Sequence, residues 1–168
     1  MHAQIMQMCH DSMNMLSRLA EEQADSISHA AMIMDDALIH ERKIICCGNG
    51  ASGANAQSFV SKMLNRFEHE RPALPALALA PDSVTLSALA QDNRLTESFS
   101  RPFLAFAQPG DVLLVLSATA TAANILAIVH AAHERGCPVI AITGASGGGI
   151  SRLLAPEDAL IQIPEHRA

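Results

Sequence analysis

The chain has 168 residues, 49% of them apolar, and a formal net charge of −6. That is the length of one ordinary domain, long enough to bury about two-thirds of its unfolded surface without disulfides or metals. No run approaches the ~20 uncharged apolar residues of a membrane helix, and the 11 basic residues are scattered, which excludes the electrostatic footprint of a direct nucleic-acid binder.

The start, Met1-His2-Ala3-Gln4, has neither a basic nor an apolar signal region, so a cytoplasmic location is expected. Ile5, Met8, Ser12, Met15 and Leu19 then fall at helical spacing before the polar stretch Glu21-Glu22-Gln23, and Ile27, Ala31, Met34 and Leu38 form a second stripe over 25–40. Two amphipathic helices in succession predict a helical hairpin over 1–41 that packs on the rest of the domain or on another copy of the chain.

From residue 43 the pattern changes. Apolar runs at 43–47, 76–80, 111–116, 138–143 and 159–163 read as strands, separated by helical stretches at 54–67, 83–90, 96–107 and 122–135 and a short one at 149–154. Strands that are apolar throughout and alternate with helices predict a parallel sheet covered on both faces. Gly136 and Pro138 mark a helix end and the entry to the next strand. Without a linker or repeat, the whole of 1–168 reads as one α/β domain, with its core over 42–168.

The cysteines, Cys9, Cys46, Cys47 and Cys137, include no Cys-x-x-Cys unit, and two of them lie inside an apolar run. They read as reduced thiols. Of the histidines, only His130 and His133 have helical i,i+3 spacing, and without further convergent ligands they and the rest read as solvated, with no metal site expected.

Ligands of an open parallel sheet bind beyond the carboxyl ends of its strands. After the first strand comes Gly48-Asn49-Gly50-Ala51-Ser52-Gly53, whose glycines allow close backbone approach and whose following helix offers unpaired N–H groups to an anion. The same turn also serves as an ordinary strand-to-helix connection. After the third strand, Ser117, Thr119 and Thr121 could donate hydroxyls to a phosphate, or Thr119 or Thr121 could simply cap the next helix. After the fourth, the run 143–149 is unusually rich in glycine.

The combination Cys47-Gly48-Asn49-Gly50-Ala51-Ser52, Asn55-Ala56-Gln57, Asn65-Arg66-Phe67, Glu70-Arg71-Pro72, Pro109-Gly110-Asp111-Val112-Leu113-Leu114, Ile142-Thr143-Gly144 and Ile163-Pro164 resembles the SIS-domain proteins of the phosphoheptose isomerase type. The resemblance spans nearly the whole chain. It implies a flavodoxin-like five-stranded parallel sheet and a homotetramer joined through the N-terminal helices. Within that family the likeness is to the branch that binds the replication initiator DnaA and promotes its assembly at the chromosomal origin. The family's enzymes isomerise sedoheptulose 7-phosphate, holding the phosphate in a loop of the form Ser-Thr-Ser-Gly-Asn-Ser. Here that loop is Ser117-Ala118-Thr119-Ala120-Thr121-Ala122, with two hydroxyls and the glycine lost. A hydrogen bond to a charged acceptor is worth about 1.5–3 kcal/mol, so phosphate affinity is expected to fall by roughly two powers of ten.

The resemblance also places the family's catalytic glutamate at Lys62 and its helical histidine at Ser58, and lysine is a poor base at neutral pH. A second family histidine lies on a final helix that is expected to be absent here; His166 falls in the wrong segment to replace it. Asp92 matches an aspartate near the family's site, or is a turn residue. The expectation is therefore a non-catalytic, cofactor-free adaptor with a residual sugar-phosphate pocket at Gly48, Asn49, Gly50, Ser52, Asp92, Ser117, Thr119 and Thr121. The alternative is a sedoheptulose 7-phosphate isomerase or a sugar-phosphate-binding protein.

Overall fold

In a computed structural model that describes residues 1–165, the first helix, α1, runs unbroken from His2–Ile39 over 38 residues. It replaces the expected hairpin, and the reason is local. No glycine or proline occurs in that span, and Glu21, Glu22 and Gln23 are good helix formers, so a polar stretch interrupts the apolar stripe without interrupting the helix. At about 1.5 Å per residue it is close to 57 Å long. It ends where Glu41 takes a left-handed conformation (φ 59°) and the Arg42 N–H returns to the Ala37 carbonyl at 2.8 Å.

The remaining elements are β1 (Ile44–Gly48), α2 (Ala51–Leu64), β2 (Ala76–Ala78), α3 (Ser83–Gln91), α4 (Ser100–Phe106), β3 (Val112–Ser117), α5 (Ala123–Glu134), β4 (Val139–Gly144) and β5 (Ala159–Ile163). The helix expected over 96–107 is a 3-10 turn, Leu95–Glu97, followed by α4, and the short one expected over 149–154 is a 3-10 turn, Ile150–Arg152. Helix α2 begins three residues before the expected start, so the glycine turn after β1 is only Asn49 and Gly50.

All five strands are parallel, in the order β2-β1-β3-β4-β5. Alternate strand residues feed two cores. Ile45, Cys47, Leu113, Val115, Val139 and Ala141 pack with Phe103 of α4 and Ile125, Ile128 and Val129 of α5. Ile44, Cys46, Val112, Leu114 and Ile140 pack with Ala30 and Ala37 of α1 and Ala56 and Val60 of α2. Both faces are thus apolar, which is why the strands read as unbroken hydrophobic runs.

Two buried aspartates tie down the amino ends of the strands. Asp111 accepts from the Lys43 and Gln108 N–H groups at 3.0 and 2.7 Å and pairs with Lys43 Nζ at 2.6 Å. Asp158 accepts from the Val139 and Ala155 N–H groups, both at 2.7 Å, and meets His133 Nε2 at 2.8 Å. His133 is therefore held by a buried carboxylate, where the sequence suggested a solvated ring; its i,i+3 neighbour His130 is exposed. The edge strand β5 is covered by α1, whose Gln23 Oε1 accepts from Gln162 N–H at 3.1 Å and whose Arg18 donates to the Pro164 carbonyl at 3.2 Å.

Candidate functional site

The chain leaves β1 in one direction to reach β2 and in the other to reach β3, so the carboxyl ends of β1 and β3 flank a topological switch point. The local sequence opens the crevice there. Gly48 is the last residue of β1; a Cβ on it would stand 2.7 Å from the Ser52 carbonyl carbon and 2.8 Å from the Leu116 oxygen, so only glycine lets α2 and β3 come this close. Gly50 caps α2 in a left-handed conformation (φ 55°), and the Ser52 N–H returns to the Asn49 carbonyl at 3.1 Å.

Asn49 faces Asn124, in the first turn of α5. Each amide donates to the other, Asn49 Nδ2 to Asn124 Oδ1 at 3.0 Å and Asn124 Nδ2 to Asn49 Oδ1 at 2.9 Å, and Asn124 Nδ2 also donates to Ser98 Oγ at 3.1 Å. This pair belongs to the wall of a cleft of about 690 Å³ bounded by Gly48, Gly50, Gln57, Leu79, Leu86, Thr96 and Phe99. None of the residues lining it is ionisable, so its polar groups can hold a hydroxylated ligand by hydrogen bonds but offer no side chain that gains or loses a proton near neutral pH.

Asn49 also reaches a second cleft, of about 540 Å³, bounded by Met15, Ser52, Asn55, Ser117, Ala118, Thr143, Gly144 and Glu165. Its wall includes the loop after β3, whose form is set from within. Ser117 Oγ accepts from the Ala120 N–H at 3.1 Å, and Ala120 sits at φ 53°, a conformation that costs a non-glycine residue about 1 kcal/mol. The Ala118 carbonyl accepts from Gly144 N–H at 3.0 Å, and the Ala120 carbonyl from Gly149 N–H at 2.8 Å. A Cβ on Gly148 would lie 2.3 Å from the Thr119 oxygen. The glycine-rich run after β4 thus serves the loop after β3 by close packing.

Of the residues singled out from the sequence, Gly48, Asn49 and Gly50 line the first cleft, and Asn49, Ser52 and Ser117 the second. Thr119 and Thr121 are exposed, pair with each other at 3.4 Å between hydroxyls, and line neither. Asp92 closes α3 as its C-terminal flanking residue and is likewise outside both. Ser58 and Lys62 are exposed on α2, with Lys62 Nζ 5.3 Å from the centre of the Phe67 ring. His166 lies outside the described residues. Among the described residues no three His, Cys, Asp or Glu side chains converge as a metal site. Asn124 and Ser98 were missed; a polar residue in the first turn of the helix after the third strand was the available signal for Asn124.

The SIS-domain family model matches residues 7–144. The DnaA initiator-associating protein DiaA of Shigella flexneri serotype 5b is 46% identical over 149 residues, covering 89% of this chain and 76% of that protein. Among solved structures, a phosphoheptose isomerase from Francisella tularensis superposes with a TM-score of 0.92 at 34% identity, covering 98% of this chain and 86% of its own. The phosphoheptose isomerase GmhA from Neisseria gonorrhoeae gives 0.90 at 33% identity, covering 99% and 88%.

Proposed function

The chain belongs to the SIS-domain family, and on that premise we propose that it is a non-catalytic adaptor that associates with the initiator DnaA and promotes its assembly at the chromosomal origin. The observation that carries this reading is the 46% identity to DiaA, against 34% and 33% for the two isomerases of the same fold. The site chemistry supports it. The first cleft is lined by amides, hydroxyls and apolar groups, and Lys62 and Ser58, at the positions where the family resemblance expects a base and a histidine, are exposed and border neither cleft.

The adaptor acts as a homotetramer in the cytoplasm. Residues 2–10 of α1 are exposed throughout, and Ile5, Met8 and Leu16 are more than half exposed, an apolar surface suited to another copy of the chain. Several tethered copies raise the effective concentration of each further DnaA molecule without any contact to DNA, in keeping with the net charge of −6. No helix among the described residues is long and apolar enough to cross a membrane.

A second reading, a sugar-phosphate-binding protein or isomerase, is favoured by the isomerase superpositions and by the retained glycine turn and Ser52 and Ser117 beside Asn49. Retention of purified DnaA by the immobilised protein, with its mass measured by light scattering, tests the first reading: saturable retention by a multimer is expected. No retention by a folded multimer, together with thermal stabilisation and turnover of sedoheptulose 7-phosphate, would overturn it.

A further inference from the structure

We propose that Asn49 is a site of spontaneous deamidation and that Asn124 sets its pace. The chain has asparagine at 14, 49, 55, 65, 93 and 124, and only Asn49 precedes a glycine. The attacking atom is the Gly50 backbone nitrogen, which is joined to Asn49 itself, so a five-membered ring closes without any convergence imposed by the fold. At the other five positions the next residue's side chain crowds that nitrogen. Gly50 has none, and a Cβ built on it would meet nothing within 4 Å. Gly50 flanks α2 at φ 55°, and its N–H makes no hydrogen bond among the described residues.

The step balances without a cofactor or a change of oxidation state. The Gly50 N–H gives its proton to a solvent base, the nitrogen attacks Cγ of Asn49, and the Cγ–Nδ2 bond breaks as ammonia leaves. Water then opens the cyclic imide at either carbonyl, leaving aspartate or its isomer linked through the side chain. What opposes ring closure is the amide pair. Asn49 Nδ2 donates to Asn124 Oδ1 at 3.0 Å and Asn49 Oδ1 accepts from Asn124 Nδ2 at 2.9 Å, so the amide is held against α5 and must leave Asn124 before Cγ turns onto the Gly50 nitrogen. Deamidation gives the first cleft its only ionisable side chain, a carboxylate at neutral pH, and takes the donor away from Asn124 Oδ1.

The test follows Asn49 by peptide mass spectrometry while the full chain is held folded in mildly alkaline buffer. Asn49 is expected to convert first among the asparagines, and to both isomers. Asn124→Ala should speed its conversion about fivefold, because the restraint of one hydrogen bond, about 1 kcal/mol, changes a rate by that factor. Ile140→Val removes a buried methyl group from the core on β4 for a comparable loss of stability, and should leave the rate at Asn49 unchanged. Equal acceleration in the two variants assigns the effect to global unfolding and overturns the role of Asn124. So does a native rate in folded Asn124→Ala. No conversion at Asn49, conversion of another asparagine ahead of it, or aspartate as the sole product overturns the site itself. None of these outcomes bears on DnaA retention, so the two proposals fail separately.

Discussion

Asn49 and Asn124 exchange both of their side-chain amide hydrogen bonds, at 3.0 and 2.9 Å, across the point where the chain reverses direction in the sheet. The pair ties the glycine turn after β1 to the first turn of α5 and fixes the width of the first cleft. In a double-mutant cycle, Asn49→Ala and Asn124→Ala should each cost about 1 kcal/mol, with a coupling energy of at least ~0.5 kcal/mol. Strictly additive losses in urea unfolding would show that the pair does not hold in solution.

The loop after β3 depends on glycine in its neighbour. Gly148 is at φ 51° with no room for a Cβ, because the nearest atoms are the Thr119 and Ala120 carbonyl oxygens at 2.3 and 2.7 Å. Gly148→Ala must therefore move backbone, and should destabilise by about 2 kcal/mol or more, combining left-handed strain with a displaced loop. Ala120→Gly should do the opposite or nothing. It relieves about 1 kcal/mol of strain at φ 53° and returns a similar amount through the freer unfolded chain. Urea midpoints of the two variants check both signs.

The sheet was legible because its strands are apolar runs, those at its centre on both faces; the expected strand over 159–163 coincides with β5. The long first helix was not, since periodicity reports which face is buried and the polar break at Glu21-Glu22 does not interrupt the helix, which is held to the β5 end of the sheet on both sides of it, by Arg18 to the Pro164 carbonyl and by Gln23 to Gln162. The site was half legible. Glycine turns identify themselves, but the role of Ala120 and the pairing of Asn49 with Asn124 are set by packing between loops far apart in sequence.

Asp158 is a structural carboxylate at the opposite end of the sheet from both clefts, and its loss should be felt in stability alone. Its side chain is fully buried and satisfies two backbone N–H groups and His133. Asp158→Ala leaves those donors buried without a partner, at an expected cost of about 3 kcal/mol or more. Retention of DnaA by whatever fraction stays folded should be unchanged. A loss of retention with unchanged unfolding would contradict this division of roles.

Thiol chemistry should separate the four cysteines. Burial pushes the Cys46 thiol up to about 12 and the Cys137 thiol up to about 11, and raises Cys47 further, with the neighbouring Cys46 adding to it. Cys9 alone is exposed. A disulfide reagent at neutral pH should titrate one thiol quickly in the native protein and all four in denaturant, because the thiolate is the reacting species. Fast reaction of a second thiol would mean that the sheet opens at β1 or β4.

The cleft wall formed by α3 should weaken in acid. Asp82 caps that helix, accepting from the Val84 and Thr85 N–H groups at 2.9 and 3.0 Å and from the Thr85 hydroxyl at 2.7 Å. The bonds from Thr85, backbone first and then hydroxyl, hold its carboxyl below the usual carboxylate range. A carboxyl depressed in the folded state binds fewer protons there than in the unfolded chain. Its contribution is therefore complete above the unfolded value, near 3.9, and is lost as pH falls through the folded one. Asp82→Asn keeps a capping oxygen that does not titrate. The difference in Tm between native protein and variant, measured from pH 7 to pH 3, should shift steadily in the variant's favour below about pH 4, with other carboxyls cancelling in the comparison. A difference independent of pH would show that the Asp82 carboxylate is not bonded to the start of α3 in solution.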